Sequence, residues 1–346
     1  MQMRRFLAFC MVMSLTLALT FPSAAAKNPH AETDWRKQVF KNVEMLTGLP
    51  WYYLAAMDQY ERNLQKVRRD LPRKKGWLAI HIPAESWAGV INPDQEDNME
   101  VSIHYFGGIG RDGNGDGKAN RHDPVDVLYT VARFLSQLGT DEDAIRTGLW
   151  RYYHQPIAVD TITHIAKIFA KFDTLKLDAH VFPIPLQYNY TYHSTWGDRR
   201  GWGGLRIHEG TDIFANYGTP VLSTCYGYIE LMGWNKYGGW RLGIRDVYNN
   251  YHYYAHLNGF RKKLKQGDIV KPGDVVGYVG SSGYGPPGTS GKFPPHLHYG
   301  LYKFNGRTIY SFDPYPHLKA WERQTRKQLR EMKQKMKQKM KRKKRQ

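Results

Sequence analysis

Apolar residues in the first half of the chain recur every three or four positions, which is the spacing of one face of an α-helix. This pattern predicts helices over residues 35–46, 51–67, 127–135 and 158–172. A further helix is predicted where Thr140 precedes an acidic turn, because a threonine can cap the free backbone N–H groups there. The first half is therefore predicted to be a helical domain over residues 33–180.

The second half alternates short runs rich in Val, Ile and Tyr with glycine turns, which is typical of antiparallel strands. The predicted strands cover residues 221–231, 240–246, 251–256, 275–279 and 297–302. Residues 181–205 contain two prolines and many aromatic residues and are predicted to be a linker and a first strand. A length of 346 residues suits about two domains. The predicted fold class is therefore α+β, with an antiparallel β domain over residues 206–322.

The first 26 residues have the pattern of a secretory signal peptide. Arg4 and Arg5 precede an apolar run, and three alanines ending at Ala26 offer a cleavage site. An uncleaved anchor is the alternative, and both predict an exported protein. Cys225 is then the sole cysteine of the mature chain, and we expect it to be buried. A mean hydropathy of −0.61 excludes a polytopic membrane protein.

The positive charge is concentrated at the end of the chain. Residues 323–346 hold thirteen Lys and Arg against Glu331 alone, and so account for twelve of the 19 net positive charges. Methionines at 332, 336 and 340 fit a helix, but repulsion between like charges predicts disorder in water. For an exported protein we expect an anionic wall polymer or membrane surface as the partner, and no nucleic acid. A purely solubilising tail is the alternative.

An Asp- and Gly-rich loop in the helical half has the spacing of an EF-hand calcium loop. Oxygen ligands fall at positions 1, 3, 5, 7, 9 and 12, and Gly117 occupies position 6. They would come from Asp112, Asn114, Asp116, the Lys118 carbonyl, Asn120 and Asp123. Asp123 replaces the usual glutamate, so the pattern predicts weak Ca²⁺ binding, with a metal-free Asp/Gly turn as the alternative.

Three motifs in the second half contain histidine and aspartate, whose side chains are preferred zinc ligands. They are His208-Glu-Gly-Thr-Asp212, a lone His256, and His296-Leu-His298. In a strand, His296 and His298 project from the same face. Spacing alone leaves open which of these two binds a metal. His252 shares a face with His256 unless the strand is bulged.

This order of motifs resembles that of the lysostaphin/LytM-type zinc endopeptidases of bacterial cell walls, over roughly residues 185–320. The resemblance implies a small antiparallel sheet with a groove over a zinc ion held by His208, Asp212 and His298. It also implies that His256 and His296 are catalytic, one as a general base and the other stabilising the charged intermediate. The expected substrate is peptidoglycan, and the expected location is outside the cell, associated with the wall.

The helical half resembles the lytic transglycosylases, which have a lysozyme-like fold. Residues 49–61 are similar to the helix that carries the single catalytic acid of that family, here Glu61, and residues 76–87 resemble a second family motif. However, Arg62 and Asn63 follow Glu61 where the family has Ser or Thr. We therefore expect this half to bind glycan rather than cleave it.

The two resemblances together suggest the L-alanyl-D-glutamate endopeptidases that trim spore cortex in bacilli. Hydrolysis of a cross-bridge or stem bond by a DD-endopeptidase is the main alternative. A lytic transglycosylase and a non-enzymatic activator of wall hydrolases are further alternatives, although all five motif positions are filled here.

Overall fold

The computed structural model of the chain describes residues 29–71, 76–201 and 206–343. The segment predicted to be a signal peptide, residues 1–26, lies outside the described residues. Among the residues described, no helix has the length and apolar character needed to cross a membrane.

The described part of the chain begins with a helical half and ends with one long helix. The helices are α1 (Pro29–Thr47), α2 (Trp51–Val67), α3 (Ala84–Ala88), α4 (Glu100–Tyr105), α5 (Pro124–Leu135), α6 (Glu142–Tyr153), α7 (Pro156–Phe172) and α8 (Tyr315–Lys343). The predicted helices are confirmed, with α2 matching at both ends. Helices α3 and α4 span less than two turns, which is too short to show a helical period in the sequence.

The cap predicted at Thr140 was wrong by one residue. The carboxylate of Asp141 caps α6 by accepting hydrogen bonds from the backbone N–H groups of Asp143 and Ala144. A carboxylate at this position also interacts favourably with the positive end of the helix dipole.

The second half is built on an antiparallel sheet, as predicted. Its strands are β1 (Tyr190–Tyr192), β2 (Arg199–Arg200), β3 (Arg206–Ile207), β4 (Thr211–Ala215), β5 (Pro220–Leu222), β6 (Gly227–Asn235), β7 (Gly239–Asp246), β8 (Asn250–Phe260), β9 (Ile269–Val270), β10 (Val275–Val279), β11 (His296–Phe304) and β12 (Ile309–Phe312). The main sheet has the order β1-β4-β11-β8-β7-β6-β9. In addition, β10 pairs with β5 and β8, and β12 pairs with β11. The run predicted as one strand over residues 221–231 is two strands joined by a turn at the buried Cys225.

A β-bulge interrupts β8 where it pairs with β7. Leu257 pairs with Trp240 and Tyr254 with Leu242, so Ala255 and His256 together oppose the single residue Arg241. His256 adopts a φ of 61°. The extra residue changes which face of the sheet a side chain occupies. His256 therefore lies on the opposite face from His252, which points into the interior.

The helical half and the sheet share a hydrophobic core. Val247 and Phe304, from the sheet half, are buried in the same cluster as the helical side chains. The amide of Asn63 on α2 donates to the Val247 carbonyl at 2.9 Å. His164 on α7 stacks on Tyr228 of β6 with ring centroids 3.9 Å apart. The two halves are therefore packed together rather than joined only by a linker.

The basic segment predicted to be disordered is instead the continuation of α8. The first turns of α8 bury Leu318 and Trp321 in the sheet core, and Glu322 accepts hydrogen bonds from Tyr190 and Tyr192 at 2.7 and 2.6 Å. This packing supplies the costly helical nucleus. The Lys, Arg, Gln and Met residues that follow have high helix propensity, and this propensity offsets the repulsion between like charges.

Candidate metal centre

Three side chains from the first and third motifs meet on the open face of the sheet. Asp212 on β4 and His298 on β11 are direct partners across the two strands, and His208 lies in the turn before β4. The His208 Nε2 atom is 2.8 Å from His298 Nδ1 and 3.1 Å from Asp212 Oδ1. His298 Nδ1 is 3.0 Å from the same oxygen. One nitrogen of each imidazole and one carboxylate oxygen therefore form a triangle.

The size and chemistry of this triangle fit a zinc ion. Ligands of tetrahedral zinc at the usual bond lengths are about 3.4 Å apart, and the measured edges need only a small expansion. Burial by itself would raise the pKa of Asp212, but the close contacts of its carboxylate with His208 and His298 bring it well below the usual value. Burial lowers the pKa of His298. These two shifts favour the ionised carboxylate of Asp212 and the neutral imidazole of His298, the protonation states that bind metal.

Thr195 orients the imidazole of His208 and contacts the backbone of Asp212, and it was not identified from the sequence. Its carbonyl accepts a hydrogen bond from His208 Nδ1 at 2.9 Å, which leaves the Nε2 lone pair of His208 directed at the cluster. Its hydroxyl lies 3.3 Å from the backbone N–H of Asp212. The carbonyl of almost any residue can orient an imidazole, so no sequence pattern marks this role.

Gly210 is required by close packing rather than by a turn. A Cβ at this position would lie 2.5 Å from Cε1 of His298 and 2.7 Å from its Nε2. Glycine therefore allows the backbone of the first motif to approach the imidazole of the third.

His256 and His296 lie beside the triangle, not in it. Their ring centroids are 4.9 Å apart, and that of His256 is 5.9 Å from that of His298. Each donates from Nδ1 to a carbonyl, His256 to Ser282 at 2.8 Å and His296 to Pro294 at 2.9 Å. Since Nδ1 of each ring carries the donated proton, Nε2 is the nitrogen of each ring that can accept one. Burial, followed by the charges of His296 and His298, lowers the pKa of His256 to about 3.

The triangle opens into a cavity of about 750 Å³ that runs over β7 and β8. His208, His256 and His298 form one end of it, and Glu230 and Arg245 line the other. Tyrosines line much of its wall: Tyr237, Tyr251, Tyr253, Tyr284 and Tyr302. The cavity therefore extends beyond the metal-binding residues and can accommodate several residues of a peptide.

A second cluster of potential metal ligands, His180, Asp246 and His252, lies inside the sheet half. Its groups are already engaged by the protein. Asp246 accepts from the backbone N–H groups of Tyr248 and Asn250 at 2.8 Å, and His252 Nδ1 is 2.6 Å from the Tyr299 hydroxyl. We therefore interpret this cluster as a buried hydrogen-bond network that supports β8 and β11.

The predicted calcium loop is organised by hydrogen bonds to its own backbone. Asp112 accepts from the N–H groups of Gly115 and Gly117, each at 2.7 Å, and Asp123 caps α5. In the described part of the chain, neither of the two clusters able to hold a metal includes residues of this loop. Calcium binding by Asp112, Asn114, Asp116, Lys118 and Asp123 stays a prediction.

Glu61 lies on α2 in the helical half, away from the cavity. Its carboxylate accepts a hydrogen bond from the hydroxyl of Tyr153 at 2.7 Å. Burial is the main cause that raises the pKa of this tyrosine well above its usual value, so the hydroxyl keeps its proton and donates it in a hydrogen bond to Glu61.

Comparison with known proteins gives one relative that matches both halves of the chain and several that match about a third of it. The model of Peptidase family M23 matches residues 206–311. The L-Ala--D-Glu endopeptidase of Bacillus subtilis is 55% identical over 316 residues, which cover 90% of this chain and 97% of that protein. Lysostaphin of Staphylococcus staphylolyticus is 36% identical over 116 residues, 33% of this chain and 22% of that protein. The crystallised catalytic domain of lysostaphin from Staphylococcus simulans is 32% identical, with a TM-score of 0.31 and coverage of 38% of this chain and 93% of the domain.

Proposed function

The chain belongs to peptidase family M23, and from this premise we propose that it is a zinc-dependent endopeptidase that hydrolyses the L-Ala–D-Glu bond of peptidoglycan stem peptides. The observation that carries the proposal is the triangle of His208, Asp212 and His298 at the end of a peptide-sized cavity. The 55% identity to an L-Ala--D-Glu endopeptidase, over both halves of the chain, supports the choice of bond.

The mechanism needs an activated water and a route for its proton. Zinc held by His208, Asp212 and His298 would supply Lewis acidity, which polarises a carbonyl and acidifies water. His256 and His296 present Nε2 lone pairs next to this position, because their Nδ1 atoms are engaged with carbonyls. Either ring can accept the proton of the attacking water at Nε2 and return it to the leaving amine. The division of these two roles rests on the family resemblance.

The test uses the purified full chain, a stem peptide containing L-Ala–D-Glu, and isolated wall. We expect one zinc ion per chain by elemental analysis and a new amino terminus on D-glutamate. Cleavage at a cross-bridge or D-Ala bond instead would support the DD-endopeptidase alternative. Anhydro-sugar ends would support a transglycosylase, and a zinc-loaded protein that cuts none of these would support a non-enzymatic regulator.

We propose that the helical half is lysozyme-like and holds glycan next to the cavity without cleaving it. The hydrogen bond from Tyr153 to Glu61 supports this, because it engages an oxygen of the carboxyl group that a general acid would have to present to the glycosidic oxygen. In a binding assay with peptide-free glycan strands, the full chain is expected to bind without shortening them. Shortened strands would show that Glu61 is an active acid.

We propose that the protein is exported and acts on spore cortex, which the signal-like first 26 residues and the wall substrate support. In a strain lacking it, mass spectrometry of cortex muropeptides is expected to show tetrapeptide stems where single alanines would otherwise be found. Unchanged stems with normal export would contradict the cortex assignment and leave the bond specificity intact.

A further inference from the structure

One half-buried cation that lines the cavity has no acidic partner among the described residues. The open face of β7 carries Arg241 and Arg245, separated by Gly243. Arg245 is neutralised, because its Nε and Nη2 atoms donate to the two carboxylate oxygens of Glu230, each at 3.0 Å. Arg241 forms no ion pair with any described residue.

The Arg241 side chain is half-buried and incompletely satisfied. Its Nε atom is buried and has no hydrogen-bond partner among the described residues. Its guanidinium neighbours the Tyr253 hydroxyl: burial raises the pKa of this tyrosine, and the positive charge of Arg241 opposes that shift. Removing an unpaired guanidinium from water is unfavourable, so this arrangement suggests that an anion completes the site.

Arg241 also lies next to the metal centre. It sits directly opposite the bulge formed by Ala255 and His256, and the ring of its partner Tyr253 is 6.0 Å from that of His298. Arg206, the other arginine lining the cavity, is exposed and donates to the Tyr284 hydroxyl at 2.7 Å. Of these arginines, Arg241 is therefore the one that is half-buried and has no acidic partner among the described residues.

The chemistry of the proposed substrate supplies a matching anion. The amine side of an L-Ala–D-Glu bond is a glutamyl residue with two carboxyl groups, and the stem continues through only one of them. The other is a free carboxylate within a few bonds of the scissile nitrogen. We propose that Arg241 binds this carboxylate and so selects an acidic residue on the amine side of the bond. This inference rests on the proposed function and deepens it.

The test compares two peptides that differ only at this carboxyl group, which is a free acid in one and a primary amide in the other. For the native chain we expect kcat/KM on the acid to exceed that on the amide by roughly 10- to 100-fold, the usual worth of a charge-assisted hydrogen bond. Arg241→Gln should lose this preference by slowing cleavage of the acid, with zinc content unchanged. Arg241→Lys should retain only part of it, because lysine lacks the planar pair of donors.

Arg261→Gln is the matched control, since Arg261 is exposed and does not line the cavity. Equal cleavage of acid and amide by the native chain would overturn the role of Arg241 while leaving the endopeptidase intact. A preference that survives Arg241→Gln but disappears in Arg206→Gln would also overturn it. No cleavage of either peptide by the zinc-loaded native chain would instead contradict the proposed function.

Discussion

At the scale of single residues, the five motif positions separate into a triangle and two flanking imidazoles. His208, Asp212 and His298 bring their ligand atoms within about 3 Å of one another. His256 and His296 each present one nitrogen toward the same position. This arrangement predicts that substitutions in the two groups have different effects on metal content.

His298→Ala is expected to abolish both zinc binding and peptide cleavage, because two ligands hold the metal far less tightly than three. His256→Gln is expected to retain zinc and lower kcat about 10²- to 10⁴-fold, the usual contribution of a general base. Elemental analysis and steady-state kinetics distinguish the two. Loss of zinc from His256→Gln would place this residue among the ligands.

Gly210→Ala is expected to weaken zinc binding roughly 10- to 100-fold, as for other changes that displace a ligand from its orientation. The added methyl would lie 2.5 Å from the His298 ring and must push it aside. Competition with a chelator measures the change. Gly201→Ala is a useful control, since its Cβ would meet no atom within 4 Å and its φ, like that of Gly210, is not positive. Unchanged zinc affinity in Gly210→Ala would contradict the packing argument.

The sequence predicts the roles of residues whose side chains carry the chemistry in a spaced motif. It does not predict the roles of residues that act through their backbone or through neighbours distant in the chain. The triangle and its neighbours were identified because histidine and aspartate carry the chemistry themselves. Thr195 was missed because it contributes a carbonyl, which every residue has. Arg241 was missed because its lack of an acidic partner becomes visible only when Arg245 and Glu230 are seen together.

At the scale of elements, the periodic patterns predicted the helices and most strands, but not the bulge in β8. A bulge is defined by its pairing with the neighbouring strand, here opposite Arg241. The pattern of residues within β8 alone does not contain that information. The basic end of the chain was predicted wrongly for a related reason. Its helix depends on the packing of Trp321 and Leu318 against the distant sheet.

Removal of residues 327–346 is expected to leave the sheet folded, because the buried part of α8 precedes this segment. The shortened chain should bind anionic wall polymer or anionic vesicles more weakly, and the native chain should lose binding steeply as salt rises. Sedimentation with vesicles at several salt concentrations measures both. Equal binding by the two proteins would indicate that the tail only aids solubility.

Glu230 connects α7 to the sheet and should make stability depend on pH. Burial would raise its pKa, but His164 and Arg245 lower it to about 2, below the usual 4.5. The folded state thus binds the ionised form more favourably, and the stability this contributes is present above pH 4.5 and lost as pH falls toward 2. A shift of this size corresponds to about 3 kcal/mol.

Glu230→Gln is therefore expected to destabilise the protein by about that amount at neutral pH and to reduce the loss between pH 4.5 and 2. Denaturant unfolding at a series of pH values measures both effects. Glu96→Gln provides a control, because Glu96 is an exposed acid paired with Arg121 and His122 and should contribute little. If Glu230→Gln and the native chain lost the same stability at acid pH, Glu230 would not be the source of the pH dependence.

At the scale of the whole molecule, the shared core predicts that both halves unfold together. Tyr226, Tyr228, Tyr248 and Ile269 of the sheet half pack against the helical core that contains Val247 and Phe304. Calorimetry of the full chain should therefore show one transition. A fragment of residues 181–346 should melt at lower temperature and associate, because these apolar side chains become exposed. Two separate transitions in the full chain would show that the halves are energetically independent.

That common core also limits how this chain can be recombined. A designer who wishes to transplant the peptidase half onto a different targeting module could not simply cut before residue 181. The graft would have to bring α2 and α7 with it, or replace Val247, Phe304 and their aromatic neighbours by polar residues.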